Sequence, residues 1–252
     1  MPKSLIEEGT SLELTGLQLH RNLLPEGAVR FLKRERARLC GQIEVPRPWH
    51  YAELHNPWSG AAAFYDSWGF LDLCQSSPLV QAIARQIGED VILFDSQWLP
   101  DRWHDPGVAC ESDAHRFAVD PPSGVTALIA LTDGSKLALQ SAFAPMMRPF
   151  DRSVTIELDA GDVLLVGHEA AYRLESSSRD APPVIYAVRY FAASSRYLRD
   201  PASSMQRALT ERYPLLNYAR MPLWLVHGED RAQNDFVTGF NARAGFWTNA
   251  RW

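Results

Sequence analysis

The chain has 252 residues, 46% of them hydrophobic, which is enough for one large core. Its net charge of −5, without a long basic run, argues against a nucleic-acid partner. Three widely spaced cysteines, Cys40, Cys74 and Cys110, exclude a disulfide framework or zinc knuckle and fit a reducing cytoplasm. The first residues, MPKSLIEEGTSLEL, lack the apolar centre of a signal peptide, and no apolar stretch reaches membrane-spanning length. A cytoplasmic protein with neither membrane nor nucleic acid as partner is expected.

Leu12 to Leu19 reads as a leading strand, and Pro25-Glu26 opens an amphipathic helix to about Cys40. The run Lys33-Arg34-Glu35-Arg36 reads as its solvated face. Residues 45–70 are irregular and aromatic and hold His50, Glu53 and His55. Those three are of the types that ligate zinc or iron, but Pro46, Pro48 and Pro57 exclude one long helix. Substrate contact is the better reading for this loop, because loops on a rigid scaffold carry function. Asp72 to Gly88 predicts a second helix, starting near Ser77-Pro78. Val91 to Phe94 begins a set of strands that Asp95-Ser96-Gln97-Trp98 continues.

The stretch from Pro106 to Asp133 looks like a site. Its second half, Val125 to Leu131, is a short apolar run between turn signals, as in a buried strand. Its first half places Glu111, Asp113 and His115 at alternate positions, and if extended it shows all three on one face. Lys136 to Ala144 predicts a hairpin and loop, and Val154 to Leu158 alternates as a strand. Gly161-Asp162 precedes another apolar strand, and Ile185 to Tyr190 is a further one. The tail from about residue 201 holds a helix near Ser203 to Arg212 and an aromatic segment expected to pack on the domain or on a partner.

Three elements together, Pro106-Gly107, Pro121-Pro122 and Ala130-Leu131-Thr132-Asp133, resemble the first metal-binding segment of the phytanoyl-CoA dioxygenase-like family of iron(II)/2-oxoglutarate oxygenases. The Gly161-Asp162 strand resembles the second, and the likeness spans roughly residues 12 to 195. It implies a mainly β domain with added helices (α+β), a double-stranded β-helix, or jelly-roll barrel, with flanking N-terminal helices. In that register the His-x-Asp ligands fall on Glu111 and Asp113, and the distal His falls on Tyr172. The zone of the cosubstrate-binding Arg reads Ala181-Pro182-Pro183-Val184.

Two imidazoles and a carboxylate suit iron(II), whereas Glu111, Asp113 and Tyr172 form a harder, more anionic set. Loss of the Arg removes a charge-assisted grip on 2-oxoglutarate. The favoured reading is therefore a small-molecule enzyme of specialised metabolism without cofactor, repurposed for metal-independent acid/base chemistry of lyase, isomerase or cyclase type. Glu111, Asp113, Tyr172 and His115 are its candidate catalytic residues, with mutual repulsion raising one carboxylate's pKa. His50, His55, Gln97, Trp98, Arg173 and Arg189 are the candidate substrate contacts. The alternative is an active hydroxylase with iron(II) and 2-oxoglutarate, using a shifted triad of Asp113, His115 and His168 with Arg173 or Arg189 for the cosubstrate. A third reading is a non-catalytic relative that binds a metabolite or partner.

Overall fold

A computed structural model describes residues 16–44, 48–59, 62–99, 111–140, 153–175, 183–212, 217–236, 240–241 and 246–247. The turn at His104 to Gly107, the loop after Gln140 and the polar loop at 176–180 lie outside the described residues. The helices are α1 (Glu26–Gln42), α2 (Ser67–Cys74), α3 (Ser77–Ile87) and α4 (Ser204–Arg212). The strands that build the sheets are β1 (Leu17–His20), β2 (Val91–Trp98), β3 (Glu111–Ser112), β4 (Val119–Asp120), β5 (Val125–Ala130), β6 (Ser135–Gln140) and β7 (Ser153–Leu158). They continue with β8 (Val163–Gly167), β9 (Ala171–Glu175), β10 (Ile185–Ala192), β11 (Arg196–Tyr197), β12 (Trp224–His227), β13 (Phe240–Asn241) and β14 (Phe246–Trp247).

Two antiparallel sheets form the double-stranded β-helix. The larger runs β1-β8-β5-β10-β2-β12 and the smaller β3-β9-β6-β7. Strand β5, VTALIA, is buried at every residue because both of its faces are covered. Val125, Ala127 and Ile129 pack with Leu32, Leu39, Phe70 and Ile83 of the helices. Leu128 and Ala130 face the smaller sheet with Leu137, Tyr172 and Leu174. Strand β10 sorts the same way, with Tyr186, Val188 and Tyr190 toward the helices and Ile185 and Ala187 toward the barrel. A third cluster, with Phe94, Phe117, Phe191, Leu209 and Leu223, closes the end of the barrel where the C-terminal segment crosses.

Helix α1 buries Val29, Leu32 and Leu39 as its spacing predicts, but also Glu35. Glu35 is therefore not part of a solvated face: its carboxylate accepts from the Asp66 backbone N–H at 3.0 Å and lies 3.0 Å from Arg34. The helix expected to start near Ser77-Pro78 does so as α3, and a separate helix, α2, precedes it. Pro78, at the start of α3, lacks the N–H that a continuing helix needs, so α2 stops at Cys74. The C-terminal segment adds β12 beside β2 as an edge of the larger sheet, so this part of the tail packs on the domain itself. No helix among the described residues is long and apolar enough to cross a membrane.

Gly124, at the entry to β5, sits under the Phe117 ring. A Cβ there would come within 2.2 Å of the ring edge. Gly124→Ala is expected to cost roughly 1–3 kcal/mol by overpacking, or more if the ring cannot move, measured by urea denaturation.

Candidate active site

The site is built where the two sheets face each other around Asp113. Strand β3 pairs with β9 so that Glu111 lies in register with Tyr172. The chain then tightens into a 3-10 turn, Asp113–Arg116. Alternation stops there, so His115 does not follow Asp113 on one strand face as expected. In a 3-10 turn residues three apart lie on the same side. Arg116 accordingly meets Asp113, at 3.4 Å from Nε to Oδ1. His115 is half-buried between them on the turn.

Asp113 Oδ2 accepts from Thr126 Oγ1 at 2.8 Å, Tyr172 Oη at 2.9 Å and Arg189 Nε at 2.9 Å. Arg189 Nη1 also donates to Asp95 Oδ2 at 3.0 Å, and Arg116 Nη1 approaches the same oxygen at 3.4 Å. Thr126, Arg189 and Asp95 form one row across β5, β10 and β2. Asp95, Asp113, Arg116 and Arg189 are each at most 2% exposed. Two carboxylates and two guanidiniums thus cancel inside the barrel.

Of the two carboxylates expected to repel each other, Asp113 is not the one raised. Burial opposes ionisation of Asp113 most, but the Arg189 and Arg116 guanidiniums and the bonds from Arg189 and Thr126 outweigh it and hold its pKa at about 2. Burial, then the Asp113 charge, pushes the Tyr172 phenol well above its ordinary value, so it stays a neutral donor. Among the described residues, Glu53 is a carboxylate that burial moves toward neutrality. Burial and the field of Asp95, opposed by an Asn56 hydrogen bond, raise it to about 7.

The remaining residues singled out in the sequence fall in different places. Gln97 lies opposite Ala187 on the barrel face. Trp98 lies opposite Tyr186 on the helix face and packs on Phe70. His55 is fully buried and its Nδ1 lies 2.9 Å from Ser96 Oγ, on the helix-covered side, since Ser96 opposes Val188. His50 stands edge-on to Phe64 at 5.6 Å. Arg173 follows the inward Tyr172 on β9, so period 2 turns it to the outer face of the smaller sheet. His168 sits on the turn between β8 and β9, not on a strand, so its even offset from Tyr172 gives no shared face; its ring meets Phe117. The side chain of Glu111 lies outside the described residues. Asp95 and Thr126 are not among the candidate site residues of the sequence, whereas Glu53 stands there in the His50–Glu53–His55 trio and Arg116 three residues from Asp113.

The described residues around Asp113 do not fit an iron(II) ion. Both Asp113 oxygens already face guanidinium or hydroxyl donors, two fixed cations adjoin it, and Tyr172 spends its proton on the same carboxylate. Among the described residues no three His, Cys, Asp or Glu side chains converge as a ligand set, so Asp113, His115 and His168 do not form a triad. Arg189, the candidate cosubstrate grip, is committed to Asp113 and Asp95.

Removing one partner from a buried charge network leaves the others uncompensated. Arg189→Met is expected to cost about 3–5 kcal/mol, and Tyr172→Phe roughly 1.5–3 kcal/mol as a lost bond to a charged acceptor, both by chemical denaturation. Burial holds the His55 pKa down at about 3. Between the unfolded value near 6.5 and that folded value, the unfolded chain takes up a proton that the folded chain refuses. Stability therefore falls as pH drops from about 6.5 to 3, by up to ~1.4 kcal/mol per pH unit. Asp113 adds loss below about pH 4, as pH falls toward its folded value. A His55→Asn variant should show a flatter stability profile between pH 6.5 and 4 in urea melts.

No family model and no curated protein matches the chain. Solved structures do. CytC3 with Fe(II) and alpha-ketoglutarate superposes with a TM-score of 0.66 at 15% identity, over 97% of this chain and 98% of that one. The nickel complex of the non-heme monooxygenase ThoJ gives 0.61 at 15% identity, over 87% and 83%. The non-heme alpha ketoglutarate dependent epimerase SnoN from nogalamycin biosynthesis gives 0.57 at 20% identity, over 74% and 81%. The chain therefore has the double-stranded β-helix fold of the non-heme iron/2-oxoglutarate enzymes.

Proposed function

We propose that the chain is a small-molecule enzyme on this oxygenase scaffold that works without iron or 2-oxoglutarate. The observation that supports this reading is the use of Asp113: the carboxylate expected at the metal is neutralised by Arg189 and Arg116 and bonded by Tyr172 and Thr126. In this reading the Arg189 and Arg116 guanidiniums supply the positive charge that a metal supplies in the oxygenases. The fold neighbours carry names of small-molecule enzymes, SnoN an epimerase and ThoJ a monooxygenase, which supports a small-molecule substrate.

In this reading the chemistry is proton transfer, as in a lyase, isomerase or cyclase. Asp113 and Tyr172 do not change protonation near neutrality, so they hold and orient. Proton transfer falls to a carboxylate outside the ionic cluster. Glu111, the sequence's candidate, has its backbone paired with Tyr172, and Glu53 is a further candidate among the described residues.

The protein is reconstituted anaerobically with iron(II), desalted and assayed with 2-oxoglutarate and oxygen. The expected result is far less than one iron per chain and no 2-oxoglutarate-dependent succinate above background. One stoichiometric iron, lost in His115→Ala or His168→Ala, would establish the shifted triad and the oxygenase reading instead. Once a substrate is found, turnover should persist in EDTA.

A further inference from the structure

Strands β2 and β10 set two residue pairs next to each other on the barrel face, Asp95 opposite Arg189 and Gln97 opposite Ala187. Within the first pair two polar atoms are unused. Arg189 engages two of its three nitrogens, Nε on Asp113 and Nη1 on Asp95. Asp95 receives Arg189 and Arg116 on Oδ2 alone. Arg189 Nη2 and Asp95 Oδ1 are buried and make no hydrogen bond among the described residues.

A buried donor and a buried acceptor without partners are each costly, and native interiors seldom keep them so. A bidentate pair would satisfy both, because a guanidinium and a carboxylate match as forks. Here only Nη1 and Oδ2 are joined, at 3.0 Å. The tie of Arg189 Nε to Asp113 and the sharing of Asp95 Oδ2 with Arg116 fix both groups in that one-point contact. A single group that both donates and accepts completes the two open atoms. The face they adjoin is polar: Gln97, two residues along β2 and 6% exposed, carries an amide, and Ala187 across from it adds only a methyl.

The charges select the ligand class. Asp95, Asp113, Arg116 and Arg189 sum to zero, so the cluster has no net charge to offer an ion. A carboxylate at this point would face the Asp95 oxygen, and an ammonium would face the Arg189 nitrogen. A hydroxyl meets neither objection. Its hydrogen goes to Oδ1 and its oxygen accepts from Nη2.

We propose that the Asp95–Arg189 pair is the recognition point for a neutral, hydroxylated substrate, one hydroxyl of which donates to Asp95 Oδ1 and accepts from Arg189 Nη2. The hydroxyl keeps its proton in this contact. Asp95 and Arg189 thus determine specificity and position the substrate, and the reaction takes place elsewhere on it. A charged substituent in place of the hydroxyl is rejected by one member of the pair. This inference rests on the metal-free reading above and names the substrate class of that site.

Crystals of the full wild-type chain grown separately with ethane-1,2-diol, sodium acetate and ethylammonium chloride test it. The expected result is a diol oxygen within hydrogen-bond distance of both Asp95 Oδ1 and Arg189 Nη2, and neither charged probe at that point. A water there in place of the diol would overturn the proposal. So would acetate or ethylammonium bonded to the pair, or an Asp95–Arg189 pair closed bidentately with no atom between. The crystals contain no iron, so this failure leaves the metal-free reading standing. Stoichiometric iron uptake in the reconstitution assay removes that reading whatever the diol does.

Discussion

The pairing of Asp113 with Arg189 is the interaction on which the interior depends. Asp113 comes from a 3-10 turn, Arg189 from the middle of the larger sheet, and Tyr172 from the smaller one. One carboxylate oxygen therefore ties both sheets and the turn between them. Arg116 extends the tie toward the C-terminal segment, with its Nη1 at 3.4 Å from Tyr218 Oη. Desolvating four charges is costly, and their mutual attraction offsets it only because every member has an opposite neighbour. Single substitutions are then severe, whereas the assembled set is electrically quiet.

A β-bulge sets the aim of Asp95. Strands β2 and β10 are in register from Tyr186 to Arg189, then slip, so that Tyr190 faces Leu93 and Phe94 has no partner. Leu93 points to the helices. Strict alternation would send Asp95 to that side as well, away from Arg189. The extra residue reverses the phase, and Asp95 joins Arg189 on the barrel face. The same phase puts Ser96 on the helix side, where it meets the buried His55. One inserted residue thus distributes the polar groups of β2 between an interior ion pair and the packing of the loop at Ala52 to His55.

Much of the architecture was legible in the sequence. Strand β5 and strand β10 announce themselves as continuous apolar runs, because a strand covered on both faces carries no polar alternation. Helix α1 shows its apolar stripe and its Pro25 start. The approach of Asp113 to Tyr172 followed from the two segments that resemble the family's metal-binding strands, and the structure brings those side chains within hydrogen-bond distance. Arg189 was singled out, though for a cosubstrate and not for Asp113. The break between α2 and α3 was marked by Pro78 and read only as a start.

The sequence by itself determined which segments become strands and helices, since burial on one face or two writes its own period into each of them. It also carried the resemblance in whose register Glu111 and Tyr172 fall on the positions of the family's iron-binding histidines. Only the tertiary structure decided which charges meet. Whether residue 115 or residue 116 faces Asp113 depends on a 3-10 turn in place of a strand. Whether Asp95 faces Arg189 depends on one unpaired residue at Phe94. Both are changes of phase by a single position, and a period of two carries no information about where the phase will slip.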